Sequence, residues 1–212
     1  MAERILVSWN TAVAKTALSV RRGQRLTFLM FVSADRGPRE KTIDIRLAEE
    51  STVRVYGIVL ARKKADLRLD LTVRHEKRAG TSFVSLKGIC LDESRAKING
   101  TIKIRPAAQK SDGRLEERII ILSPTARAET IPNLEIEAHD VKASHAATVS
   151  KLSDDELFYL ATRGLSKLAA TKLLITRFLA SQLAALPAGT LHDKLETKLS
   201  RKLSTLTYEP LS

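Results

Sequence analysis

The chain of 212 residues contains one cysteine, Cys90, and aromatic residues make up only 4% of it. A single thiol cannot form an internal disulfide, which excludes a small secreted scaffold held by cross-links. Scarce rings argue against a stacking platform for single-stranded nucleic acid and against a core built on large side chains. The most apolar stretch, within residues 165–186, is broken by Lys167, Lys172 and Arg177 and does not read as a membrane span. The opening MAERILVSWN lacks the basic and apolar regions of a signal peptide, so the expected location is the cytoplasm. Neither a Ser/His/Asp set nor a carboxylate pair stands at a spacing that suggests hydrolysis, and the chain is expected not to be an enzyme.

What the chain does have is aliphatic residues and positive charge. Ile, Leu, Val and Ala dominate a hydrophobic fraction of 43%, which suits flat, repeating packing layers. Lys and Arg number 36 against 24 Asp and Glu, a formal charge of +12. Residues 1–64 hold 13 of those bases against 6 acids, gathered in RRGQR, RGPREK and ARKKA. Such a patch attracts nucleic acid, an anionic membrane or an acidic protein, or is simply the solvated face of a basic protein.

Residues 1–141 read as short alternating segments. In ADLRLDLTVRHE, Leu67, Leu69, Leu71 and Val73 fall on one face and Arg68, Asp70, Thr72 and Arg74 on the other. The pattern returns in STVRVYGIV, TSFVSLKGI, AKINGTIKIR, ERIIILS and PNLEIEAHDV, centred roughly every 15 to 17 residues. Gly80, Asn99-Gly100, Asp112-Gly113, Pro124 and Pro132 are the expected turn punctuation. Even spacing without crossover helices allows a sandwich, a barrel or a parallel β-helix, the last fitting best with small residues and few rings.

The period changes after residue 152. Ser153 with Glu156 forms a capping-box pattern, Asp154 and Asp155 suit a helix N-terminus, and DDELFYLATR stops at Gly164. Ser166 caps a second expected helix, KLAATKLLITRFLASQLAAL, that runs to PAG. A third, TLHDKLETKLSRKLS, carries Leu191, Leu195, Leu199 and Leu203 at intervals of four. The expected division is a β core over 1–151 and a helical region over 152–212.

The LDESR turn, the NG-I-I strand, the AQK-D turn, the P-LEI strand, the DVK-SH-AT segment and the helix–Gly–helix piece LFYLATRGLS occur in that order over roughly residues 66–180. In this combination the chain resembles the SufB/SufD family of iron–sulfur cluster assembly proteins. The resemblance implies a mainly β fold, a parallel β-helix core with a C-terminal α-helical region. It also implies partners: a SufC-like ABC ATPase docked through the helical region, and a SufB-like subunit or a second copy paired through the β core. The chain has no G-x-x-x-x-G-K-[ST] loop, so ATP would act through that partner.

The resemblance also bears on individual residues. His145 stands where both family branches carry a histidine, and is implied as a metal ligand of a shared interfacial site, against the simpler role of a turn histidine. Ala126 and Ala143 occupy places where family members carry cysteine, and Ser144 and Ala146 replace SufB-type glutamates; cluster chemistry favours thiolates. The chain is therefore read as a short SufD-like form. No cofactor is expected on it alone, only transient iron or an Fe–S cluster at an interface. ATPase docking is assigned to Phe158, Tyr159, Leu160, Arg163 and Gly164. Cys90 is expected to be structural, His75 a rung-turn residue, and His139 too far from His145 to share a metal, about 20 Å along an extended strand. The rival readings are a homodimeric scaffold of a minimal system and a basic nucleic-acid-binding module reusing the fold. Scarce aromatics and the family motifs argue against nucleic acid.

Overall fold

The computed structural model describes residues 3–10 and 14–206. Nine strands among them wind as a parallel β-helix, two strands to a coil. They are β1 (Arg4–Trp9), β2 (Lys15–Val20), β3 (Arg25–Leu47), β4 (Thr52–His75), β5 (Thr81–Cys90), β6 (Arg95–Ile104), β7 (Ser111–Ile121), β8 (Arg127–Ile136) and β9 (Val141–Ser150). Strands β3 and β4 are long because each turns a corner and contributes to both faces. One face stacks β1, β3, β4, β5, β7 and β9; the other stacks β2, the second halves of β3 and β4, then β6 and β8. The register carries Arg25 onto Thr52, Thr81, Asp112 and Lys142, so the repeat seen in the sequence is half a coil.

Alternation in the sequence becomes columns in the structure. Phe28, Val55, Val84 and Leu115 stack inward on the first face, and Ile45, Val73, Ile102 and Leu134 on the second. These layers form one continuous core in which Leu67, Leu69, Val73, Val84 and Ile102 are fully buried. Outward on the second face, ion pairs tie one coil to the next: Arg74–Asp44 at 2.7 Å, Lys97–Glu129 at 2.9 Å and Arg105–Glu137 at 3.2 Å. Each half-exposed pair contributes about 0.2–1 kcal/mol and disfavours a slipped register.

Gly80 and Pro124 lie at corners, as expected, but the other turn residues do not. Asn99-Gly100 lies within β6, Asp112-Gly113 within β7 and Pro132 within β8. Pro132 is tolerated because, among the described residues, β8 pairs only with β6, so a missing N–H on its other side breaks no bond. Glu50, Ala79 and Lys110 make one corner in left-handed backbone, at φ 55°, 56° and 61°. Each donates its amide to the next coil: Glu50 to the Arg78 carbonyl, Ala79 to Gln109 and Lys110 to Asp140. Stacked corners hold one another in a conformation that an isolated turn would give to glycine.

The helices are α1 (Asp154–Thr162), α2 (Lys167–Ala180) and α3 (Thr190–Ser204), with a short 3₁₀ turn at Leu183–Ala185. Helix α2 ends before its expected limit. Ser181 closes it by donating to the Phe178 carbonyl, and Gln182 then turns under the chain. There its amide nitrogen donates to the Ser85 carbonyl and hydroxyl at 3.2 Å and to the Gly57 carbonyl at 3.3 Å. A second core forms where Ile175, Leu179, Leu183, Leu195, Leu199 and Leu203 cover the outward face of the first sheet, against Leu29, Phe31, Ile58, Leu60 and Ile89. Among the described residues, no helix is long and apolar enough to cross a membrane.

Candidate functional site at the open end of the coil

Strand β9 pairs with β7 on one side and, among the described residues, with nothing on the other; β8 likewise pairs only with β6. The sequence pattern gave no strand over 141–150, yet Val141, Ala143, His145, Ala147 and Val149 alternate with Lys142, Ser144, Thr148 and Ser150. The side chains are so small that the alternation looks like a loop. Register settles where His145 points. It continues the inward column of Phe28, Val55, Val84 and Leu115, yet it is exposed because no further coil covers it. Ile136 and Val149 are open for the same reason, at 44% and 39% exposure. The end of the solenoid is therefore a cross-section of its own core carrying one imidazole.

The remaining candidates are not gathered around His145. His139 sits at the bend between β8 and β9 rather than on one extended strand with it, which corrects the expected arrangement. Ala126 is buried at the corner before β8, and Ala143 lies one inward step from His145. Cys90 is buried one coil below Ala126, its sulfur 3.2 Å from the Ser94 hydroxyl and from the Arg127 carbonyl. Burial pushes this thiol above its ordinary range, which makes it inert. Lys87, three residues before Cys90 on β5, points outward instead, 5.0 Å from the Phe178 ring and bonded to Ser181.

His75 closes β4 from inside the core, fully buried, with Nε2 2.8 Å from the Ser82 hydroxyl. Burial lowers its pKa to about 4, so this Ser–His pair is sealed from substrate and holds a poor base. His192, Asp193 and Glu196 cluster on α3, His192 Nδ1 lying 3.3 Å from Asp193 and 4.0 Å from Glu196. Two acids in the first turns of a helix are accounted for by its dipole and by these local contacts. Glu117 was missed. It is fully buried on β7 between Leu115 and Ile119, with no hydrogen-bond partner for either oxygen. Period-two alternation through ERIIILS, extended back to Leu115, was the signal that placed it inward.

Helix α1 differs from the other two. It buries none of its residues. Phe158 and Tyr159 are 72% and 56% exposed, and Arg163 lies over the Tyr159 ring at 5.2 Å. Leu160, by contrast, is half-buried, and its carbonyl accepts from the Arg163 and Leu165 amides. Gly164 has φ +86° and terminates the helix, as its position in the sequence predicts. Within the expected docking set, Phe158, Tyr159 and Arg163 thus form one open patch, while Leu160 and Gly164 shape the helix end.

A family model described as the SUF system FeS cluster assembly, SufBD core domain, matches residues 10–178. The chain belongs to the SufBD family. The match reaches back well before the motifs over 66–180 that carry the resemblance. Among curated relatives, the iron–sulfur cluster assembly protein SufD of Escherichia coli is 32% identical over 155 residues, covering 73% of this chain and 37% of its own length. SufD of Bacillus subtilis is 30% identical over 163 residues with the same coverage, and a SufBD family protein of Pyrococcus horikoshii is 31% identical over 141 residues. The chain thus spans about a third of the length of these SufBD relatives.

Proposed function

We propose that this SufBD-family chain is a non-catalytic, SufD-like subunit of a cytoplasmic iron–sulfur cluster assembly scaffold. The open end of the coil is its pairing face, toward a SufB-like subunit or a second copy. The observation that carries this is the exposed core cross-section at β8 and β9: unpaired strand edges and apolar inward residues demand a cover. His145 lies within that cover. Its neutral imidazole ligates iron in transit while the partner supplies the sulfur donors that Ala126 and Ala143 lack. Iron and cluster are cargo here and do not reside on the isolated chain.

Helix α1 is the proposed seat of a SufC-type ABC ATPase. Phe158, Tyr159 and Arg163 offer two rings and a cation on an unpacked helix, the composition of an interface anchor. The basic N-terminal region supports a nucleic-acid module less well, because Arg22, Arg54 and Arg62 already sit in ion pairs with Glu49, Glu3 and Asp35. Anaerobic co-purification with the ATPase and a SufB-like protein tests the reading. A stoichiometric complex is expected, with the ATPase lost on Phe158→Ala with Tyr159→Ala, and iron and sulfide content lost on His145→Ala. No complex under any nucleotide condition overturns it.

A further inference from the structure

The strongest anomaly in the molecule is Glu117. It occupies an inward position one coil below the open end, in register with Leu86 beneath it and Ala147 above. The carboxylate reaches across the core to Gly100 on β6, where the absence of a side chain makes its space; a Cβ there would collide with Oε1. The neighbouring Leu115 methyl groups fill the rest of that gap, at 2.8 and 2.9 Å from the same Cβ position. Neither carboxylate oxygen has a hydrogen-bond partner, although the residue is 0% exposed. An isolated carboxylate in such a place is strongly disfavoured, while the protonated acid is tolerated.

Position decides what ionisation would do. Beneath Glu117 the coils continue from Leu86, but above it lies a single layer, β8 and β9, whose inward residues there are Pro132 and Ala147. We infer that Glu117 is a latch on the pairing face: protonated, it lets the terminal coil close over the core, and ionised, it draws water through the open end and loosens β8 and β9. The regulation so described rests on the reading of that end as the pairing face.

The charged and titratable groups around it are few. At inward positions of the strands packed against it, β5 offers only the Cys90 thiol, β6 and β8 offer none, and β9 offers His145, which faces the open end. Neither bonds the carboxylate. Burial raises its pKa to about 7. The latch therefore works across neutral pH, closed in mild acid and loosened in mild alkali.

Two measurements on the full chain test this. The side-chain carbonyl carbon of Glu117, followed by NMR, is expected to titrate near pH 7; a midpoint near the ordinary 4.5 overturns the inference. Hydrogen exchange, corrected for intrinsic rate, is expected to show residues 127–150 losing at least about tenfold protection between pH 6 and pH 8.5 while β4 holds. In Glu117→Gln, which mimics the protonated acid, that loss disappears. An identical pH profile in wild type and variant overturns the latch. Pairing with a SufB-like protein, measured on the same samples, separates the two ideas. Pairing without pH dependence sinks the latch alone; no pairing in any sample sinks the pairing face, while pH-dependent exchange would still stand.

Discussion

The middle coils and the terminal coil are made of the same two-strand unit, but only the middle coils are covered on both sides. In the middle, Leu69 lies between residues 41 and 98 of its column, and even a histidine is accommodated, because His75 meets Ser82. At the end those columns finish at Thr130 and Ile136, and the first-face columns at His145, Ala147 and Val149, with nothing above them among the described residues. In a solenoid each coil is stabilised mainly by its neighbours, so the end alone can expose core chemistry without weakening the rest. The helices repeat the lesson: α2 and α3 bury their leucines on the first sheet, while α1 keeps its rings in solvent.

The largest effect should come from a cavity in the middle. Leu69→Ala is expected to cost about 2–5 kcal/mol in denaturant unfolding. Leu134→Ala, half-buried at the open end, should cost less than half as much. Equal costs would mean that the two regions are equally packed.

pH sharpens the contrast further, because the two buried groups have opposite signs. Glu117 holds its proton more tightly folded than unfolded, so its contribution falls as pH rises from 4.5 to about 7 and is flat beyond. Glu117→Gln should therefore gain on the order of 3 kcal/mol at pH 8 and nothing by pH 4. His75 is kept neutral, so stability falls as pH drops from 6.5 toward 4, by a similar amount. His75→Gln should remove that acid limb while leaving the alkaline one. Thermal melts across pH 4–8.5 read both.

Gln182→Ala should cost about 1–3 kcal/mol, leaving the Gly57 and Ser85 carbonyls short of a donor beneath the helices. Hydrogen exchange should place the loosening in α2 and α3, not in the coils. Smallest of all, Phe158→Ala with Tyr159→Ala should change stability by less than about 0.5 kcal/mol, since both rings are mostly exposed and the Tyr159 contact with Arg163 is itself at the surface.

Much of this was legible in the residues themselves. The alternation of Leu67, Leu69, Leu71 and Val73 located the core, and Ser153, Gly164 and Ser166 located helix ends that the structure keeps. Gly80 and Pro124 marked real corners, but glycine and proline inside strands were also read as turns. Gly100 instead makes room for a neighbour one coil away, a long-range reason that local pattern does not contain. Strand β9 was hidden by its alanines. Glu117 was overlooked because an acid at an inward position contradicts the pattern used to find inward positions. His145 was found by resemblance, but only register showed that it belongs to a core column left open.

The most direct test of the open-end account is sedimentation of the full chain, alone and with a SufB-like subunit, beside Ile136→Glu with Val149→Glu. The account predicts association by the wild type, at least with the SufB-like subunit, and its loss in a variant that melts normally. Association that survives both charges, or none by the wild type with either partner, would contradict it.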